Sequence, residues 1–445
     1  MKHINKKDIG LNVLFSFTFL LFIIINNIIL GNMTSLIIKI ILDLIVGILF
    51  IIFSYIKLKT LKDMYRNIFF IYGICFFVYS IVGCIIFVLD NYIPRFYYFR
   101  ITEKILTKTL SIYINVFCIY NIFVLLFNKM KPKEYDKLLI KAGNSNIITN
   151  NMTIFFNIVA LGISILNLTK ILEYGPTFFS LTTSAKRLII NSGVTHYFNL
   201  FMVVYSLYIS LLYSTNKKDY RNIFSIISIS TYWIIALTCE RRMFVTFFLG
   251  FIFIILIKIK KLGLKRIMTL IFIFILLLFS AAIRDNIKFS NHKFMDVLYS
   301  STTEFYCTFM ISDAYVYDSH DLEYGKTYII DSLSKLLPKF ILTNKSEDLS
   351  FKFKKEYNTN VGFAFNPVAE GILNFGKFAP IMVALIMFLI CSIANFLSKY
   401  NILYYIILLI FSLDFCRGAF SNVFFDTIFC FILIFILTKI SIKKV

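Results

Sequence analysis

Charge is scarce in this sequence. Only 16% of its 445 residues are Asp, Glu, Lys or Arg, while 59% are hydrophobic and the mean hydropathy is +0.80. No soluble core hides that much apolar surface, so lipid must be the solvent for most of the chain. Acidic residues are rarer still, 24 against 46 Lys and Arg, which leaves a formal charge of +22. Such a balance suggests nucleic acid until its distribution is seen. The cations lie in short segments between apolar runs, the pattern of loops held against an anionic inner leaflet, so nucleic acid is excluded as a partner.

Other absences narrow the chemistry. The eight Cys form no CxxC pair and no Cys/His spacing for zinc, and Cys75, Cys84, Cys118, Cys391 and Cys430 lie inside apolar runs as small core residues. There is no P-loop, no Rossmann glycine pattern and no HExxH, so no cofactor is expected. The four His (His3, His196, His292, His320) lack partners at metal-ligand spacing. Lone loop histidines are usually solvated, and none is assigned a catalytic role. Residues Met1–Gly10 are basic and precede an apolar run without an Ala-x-Ala-like site, which reads as a retained first helix. No internal repeat and no separate soluble domain is visible.

What remains is a series of apolar runs of bilayer length, placed near 11–31, 36–56, 67–89, 108–128, 150–169, 195–214, 222–238, 243–259, 267–283, 377–397, 401–414 and 420–438. The expected fold is an all-α polytopic membrane protein of about twelve transmembrane helices. With the N-terminus inside, every second loop is basic: Lys57 to Arg66, Lys129 to Lys141, Lys217 to Arg221, Lys258 to Arg266, Lys399, and the tail Lys439, Lys443, Lys444. That alternation supports the count and places both termini in the cytoplasm. Nine spans (1–283) precede a polar segment (284–376) on the outer side, and three spans (377–445) follow it. The outer segment is too rich in Phe and Tyr for a disordered linker. Phe294–Tyr317 has helical spacing of bulky residues and is expected to lie along the membrane surface, with Asn344–Glu356 the most solvated part.

The arginines are more informative than the lysines. Lys dominates an AT-rich coding bias, so each Arg stands against the drift. Arg95, Arg100, Arg187, Arg241, Arg242, Arg284 and Arg417 fall on the outer side, the reverse of what the positive-inside rule predicts. Arg offers a planar, always-charged fork suited to phosphate oxygens, so an outer anion site is the favoured reading. The alternative is local pairing: Arg241 with Glu240, Arg284 with Asp285, Arg417 with Asp414 three residues earlier on one helical face. Glu370, just before a span in an apolar setting, suits a general base whose carboxyl takes up a proton readily, or else neutralises a nearby Arg.

Three stretches resemble the Wzy-type oligosaccharide repeat-unit polymerases that build O-antigen, capsule or exopolysaccharide. They are the helix pair joined at Thr238-Cys-Glu-Arg241-Arg242, and the outer segment with Tyr324-Gly-Lys-Thr-Tyr328, Leu336-Leu-Pro338 and Gly362 through Gly376. The third is Arg417-Gly418 ahead of the last span. The resemblance implies a metal-independent, GT-C-like integral-membrane glycosyltransferase in the bacterial cytoplasmic membrane. Its substrates would be undecaprenyl-diphosphate-linked glycans, with flippase and chain-length regulator proteins as partners. Arg241, Arg242 and Arg417 would bind the diphosphate at the catalytic centre with Glu370 as base, and Arg187 and Arg284 would add to diphosphate binding. A flippase would carry short loops on both sides, and an O-antigen ligase would carry a His near Arg in its outer loop. An ion-coupled transporter would need acids at membrane depth, where Asp43 is the main candidate.

Overall fold

A computed structural model describes residues 6–29, 35–90, 102–127, 129–130, 150–181, 186, 189, 195–215, 220–237, 241–258, 294–318, 320–337, 341–342, 345–358 and 365–440. Among them regular structure is helical throughout. The main helices are α1 (Lys6–Ile24), α2 (Leu36–Leu58), α3 (Ile68–Asp90), α4 (Glu103–Leu126), α5 (Asn150–Tyr174), α6 (Thr195–Thr215), α7 (Tyr220–Leu237), α8 (Arg241–Lys258), α9 (Phe294–Tyr317), α10 (Lys326–Leu336), α11 (Leu349–Glu356), α12 (Pro367–Phe375), α13 (Ala379–Leu397), α14 (Ile402–Phe415) and α15 (Phe420–Ile440). Among the described residues seven helical stretches are long and apolar enough to cross a membrane: Asp8–Ile28, Leu36–Leu58, Ile68–Ile85, Glu103–Leu126, Thr153–Tyr174, Pro367–Leu397 and Phe420–Leu437. Four shorter apolar helices, His196–Leu212, Ile223–Ala236, Arg242–Leu256 and Ile402–Phe415, coincide with further expected spans. The remaining expected span, 267–283, lies outside the described residues.

The chain divides into two compact units. The first comprises 1–133, 302–395 and 411–425, and the second 134–301, 396–410 and 426–445. In the first, α1 to α4 pack around a ladder of aromatic rings, Phe50 on Phe117 at 5.2 Å and Phe76 on Tyr113 at 5.3 Å. Gly47 lets α2 approach α3, since a Cβ there would stand 2.6 Å from the Phe77 ring. Several polar groups in this apolar bundle are matched to one another, as an unpartnered one is costly there. Lys39 donates to the Asn26 carbonyl oxygen at 2.8 Å, and Ser80 donates to Asp43 at 2.8 Å. In the second unit, α5 packs with α7 and α6 with α8. Trp233 stacks on Phe247 at 5.0 Å and donates its indole N–H to Ser206 at 3.0 Å.

Helix α9 departs from expectation. Its second half is buried rather than laid along a surface: Tyr306, Phe309, Met310, Ile311, Asp313 and Ala314 are all inside the first unit. Phe309 stacks on Tyr113 of α4 at 5.0 Å, and Phe305 meets Tyr79 of α3 at 4.7 Å. The Tyr113 hydroxyl lies 3.3 Å from the Ser312 hydroxyl, which supplies the polar match a bundle interior demands. The stretch expected to be the most solvated is also partly packed. Asp348 caps α11, and the helix buries Leu349 and Phe353 beneath Tyr315.

Candidate functional site

Arg242 stands in the first turn of α8, where the helix dipole already favours an anion. Its side chain is one-third exposed, and Nη2 lies 3.3 Å from Oδ2 of Asp426. Asp426 is buried on α15, and its other oxygen, Oδ1, lies 2.8 Å from Nε2 of His196. His196 opens α6 and leaves 45% of its side chain exposed. One buried carboxylate thus holds an exposed imidazole and a partly exposed guanidinium, each near the start of a different helix. All three residues belong to the second unit. Arg241 is the first residue of α8. Arg95, Arg100, Arg187 and Arg284 lie outside the described residues, as do Glu240 and Asp285.

Arg417 belongs to the first unit, in the turn between α14 and α15. Its Nε lies 3.3 Å from Oδ1 of Asp414, the local pair that the three-residue spacing suggested. Its amide donates to the Asp414 carbonyl oxygen at 3.0 Å, which closes the turn.

Glu370 is fully buried on α12. Asn366 caps that helix through the amides of Val368 and Ala369, both at 2.9 Å, and Pro367 fits its first turn because no N–H is needed there. Glu370 accepts the Thr327 hydroxyl at 2.7 Å and the backbone N–H of Phe420 at 2.8 Å. Among the described residues its hydrogen-bond partners are therefore a hydroxyl and the first amide of α15, not an arginine. Asn374 donates to the Thr327 hydroxyl at 2.7 Å. In the same turn of α15, Lys335 donates to Ser421 at 2.9 Å and to Asn422, and it pairs with Asp348 at 3.6 Å. The segment between 318 and 357 is thereby stitched to the opening turn of the last helix. Among the described residues no group of three or more His, Cys, Asp or Glu is placed to hold a metal ion.

Sequence reasoning singled out Arg242 and Arg417 and gave Arg417 its partner. It missed Asp426, the pairing of His196 and the role of Lys335. Asp426 had a signal, as an acid one and a half turns inside an apolar span. His196 and Asp426 are 230 positions apart, so no local spacing links them.

No curated protein and no solved structure matches this chain. The family model for the O-antigen polysaccharide polymerase Wzy matches residues 12–445, nearly the whole sequence. The bundle of apolar helices and that match agree, and the chain belongs to the O-antigen polysaccharide polymerase Wzy family.

Proposed function

We propose that this multi-pass membrane protein polymerises undecaprenyl-diphosphate-linked oligosaccharide repeat units at the outer face of the bacterial cytoplasmic membrane. Family membership supports O-antigen repeat-unit polymerisation in general. The growing glycan leaves its lipid diphosphate and joins the acceptor sugar of one new lipid-linked unit. The leaving group is a diphosphate, so the barrier falls when fixed positive charge meets the negative charge that develops on it.

Arg242 carries this reading. It is a partly exposed guanidinium at a helix N-terminus, oriented by a buried carboxylate. Arg241 precedes it on the same helix, and Arg417, Arg187 and Arg284 are assigned to the same class of contact. Catalysis then draws on oriented cations, with undecaprenyl diphosphate released and returned to the membrane. A base must be reachable by the hydroxyl it deprotonates. Glu370 has no exposed surface and holds Thr327 and the Phe420 amide, so we assign it to fastening the outer segment on α15 rather than to proton transfer. The reading supplies membrane lipid as solvent, a flippase as the source of substrate and a chain-length regulator as partner.

The test is the surface polysaccharide of a deletion strain, separated on a gel and complemented with wild type, Arg242→Ala, Arg241→Ala or Arg417→Ala. A single repeat unit where a ladder stood is the expected result. Arg242→Ala is expected to cost about 100-fold or more in ladder formation at unchanged membrane level. Disappearance of all glycan with lipid-linked units accumulating inside would instead identify a flippase.

A further inference from the structure

We infer that His196 is the group that takes the proton from the acceptor hydroxyl, and that Asp426 positions it. This rests on the polymerase reading above and adds to it a base that neither the sequence motifs nor the family description assigns.

The geometry starts at Asp426. A carboxylate only accepts hydrogen bonds, so the ring nitrogen 2.8 Å from it, Nε2 of His196, carries the hydrogen. The imidazole is thereby fixed in the tautomer whose Nδ1 has a free lone pair. Among the described residues Nδ1 has no hydrogen-bond partner, and the side chain is 45% exposed, so a substrate hydroxyl can reach it. The same carboxylate holds Arg242 through its second oxygen at 3.3 Å. Base and cation are thus set in one frame, and each keeps a face that protein does not cover. A merely structural buried Asp would be satisfied by either partner alone. Asp426 instead divides its two oxygens between two groups that remain accessible.

The step balances without a further reactant. The acceptor hydroxyl gives its proton to Nδ1 as its oxygen forms a bond to the donor's anomeric carbon. The bond from that carbon to the diphosphate oxygen breaks, and its electron pair leaves on the diphosphate, whose charge faces Arg242. The positive imidazolium is balanced by Asp426 and then loses its proton to water. Asp426 stays ionised throughout and acts only through its two partners.

The experiment uses membranes of the deletion strain, which accumulate their own lipid-linked repeat unit, carrying full-length variants. His196→Gln keeps a donor for Asp426 but cannot take a proton. It is expected to insert at the wild-type level and to form ladder at least about 100-fold more slowly. His196→Gly, which leaves the ring's space empty, is expected to recover ladder formation when imidazole is added. Asp426→Asn is expected to slow the reaction, but to add little to the loss already caused by His196→Gln, because both act on one proton transfer. His196→Gln polymerising within threefold of wild type overturns the inference, as does a loss in His196→Gly that imidazole leaves unchanged. A deletion that leaves the ladder intact, or that removes all glycan, overturns the polymerase reading itself and the base with it.

Discussion

Individual side chains already separate binding from fastening. Arg242 and His196 keep exposed surface, whereas Glu370 gives all of its own to the interior. Glu370→Gln retains an oxygen for the Phe420 amide and an amide group for Thr327, whose hydroxyl can turn to accept. Membrane level and ladder are therefore expected to stay near wild type. Glu370→Ala leaves the Thr327 hydroxyl and the Phe420 N–H unpaired in a buried site, at about 1–3 kcal/mol. Immunoblots of membranes alongside the glycan gel distinguish the two cases. Loss of the ladder in a normally inserted Glu370→Gln would return Glu370 to the role of base. The sequence sets Glu370 in an apolar stretch, but apolar neighbours in sequence suit a buried anchor as well as a base. Only its two partners, 43 and 50 positions away, decide between them.

Helices are the scale at which the sequence was most legible. Eleven of the twelve apolar runs coincide with described helices, seven of them long enough to cross a membrane, because hydropathy is a local property. Helix α9 was misplaced for the same reason. Its Asp, Ser and Thr lower the average that marks a buried segment, yet Tyr113, Ser312 and Asn366 pair with one another inside the bundle. Close packing makes a second expectation testable. Gly371 faces α13, where a Cβ would overlap the Val383 Cγ2 methyl. Gly371→Ala is expected to cost about 1–3 kcal/mol through overpacking. A lower melting temperature in detergent, restored in part by Val383→Ala, is the measurable consequence. Independent losses in the double variant would show that the two residues do not meet.

The segment between 318 and 357 also has an electrostatic fastening. Lys352 bonds to Glu323, and together with Lys326 it holds that carboxyl below the usual glutamate range despite partial burial. A carboxyl depressed in the folded state stabilises it above its ordinary value, and that stabilisation is lost as pH falls through the depressed one. Asp348 has the same sign: burial raises it, but Lys335, Asn422 and the Ser350 amide bring it below the aspartate range. Asp331, which burial raises, acts in the opposite sense in milder acid. Limited proteolysis between 318 and 357 is therefore expected to accelerate below about pH 4. Glu323→Gln should be cut faster at neutral pH and show a smaller acid increment. Equal rates for the two proteins across that range would remove Glu323 from the account.

For the whole molecule, the count of crossings decides which groups can meet a substrate outside. Arginine placement was read from alternating loop charge, a global pattern that fails if one span is miscounted. Leu61 and Tyr400 are exposed at turns on the expected inner side, and Tyr324 is exposed in the outer segment. Between Leu61 and Tyr324 the sequence reading places seven spans, 67–89 through 267–283, an odd number that puts the two positions on opposite faces. One more span, ending near Leu397, returns the chain to the inner face before Tyr400. An impermeant maleimide is expected to label Tyr324→Cys in intact cells, and Leu61→Cys and Tyr400→Cys only after permeabilisation. Five of the seven described native cysteines are buried and Cys75 and Cys307 are half-buried, and Cys239→Ser in the background removes the eighth. Labelling of Leu61→Cys and Tyr324→Cys from the same side would mean an even number of crossings between them. Where 267–283 fails to span, or α9 itself spans, Tyr400→Cys decides how the rest of the chain follows. In that event Arg242, which precedes the disputed segment, keeps its outer position, while Arg417 changes sides and drops out of the diphosphate assignment.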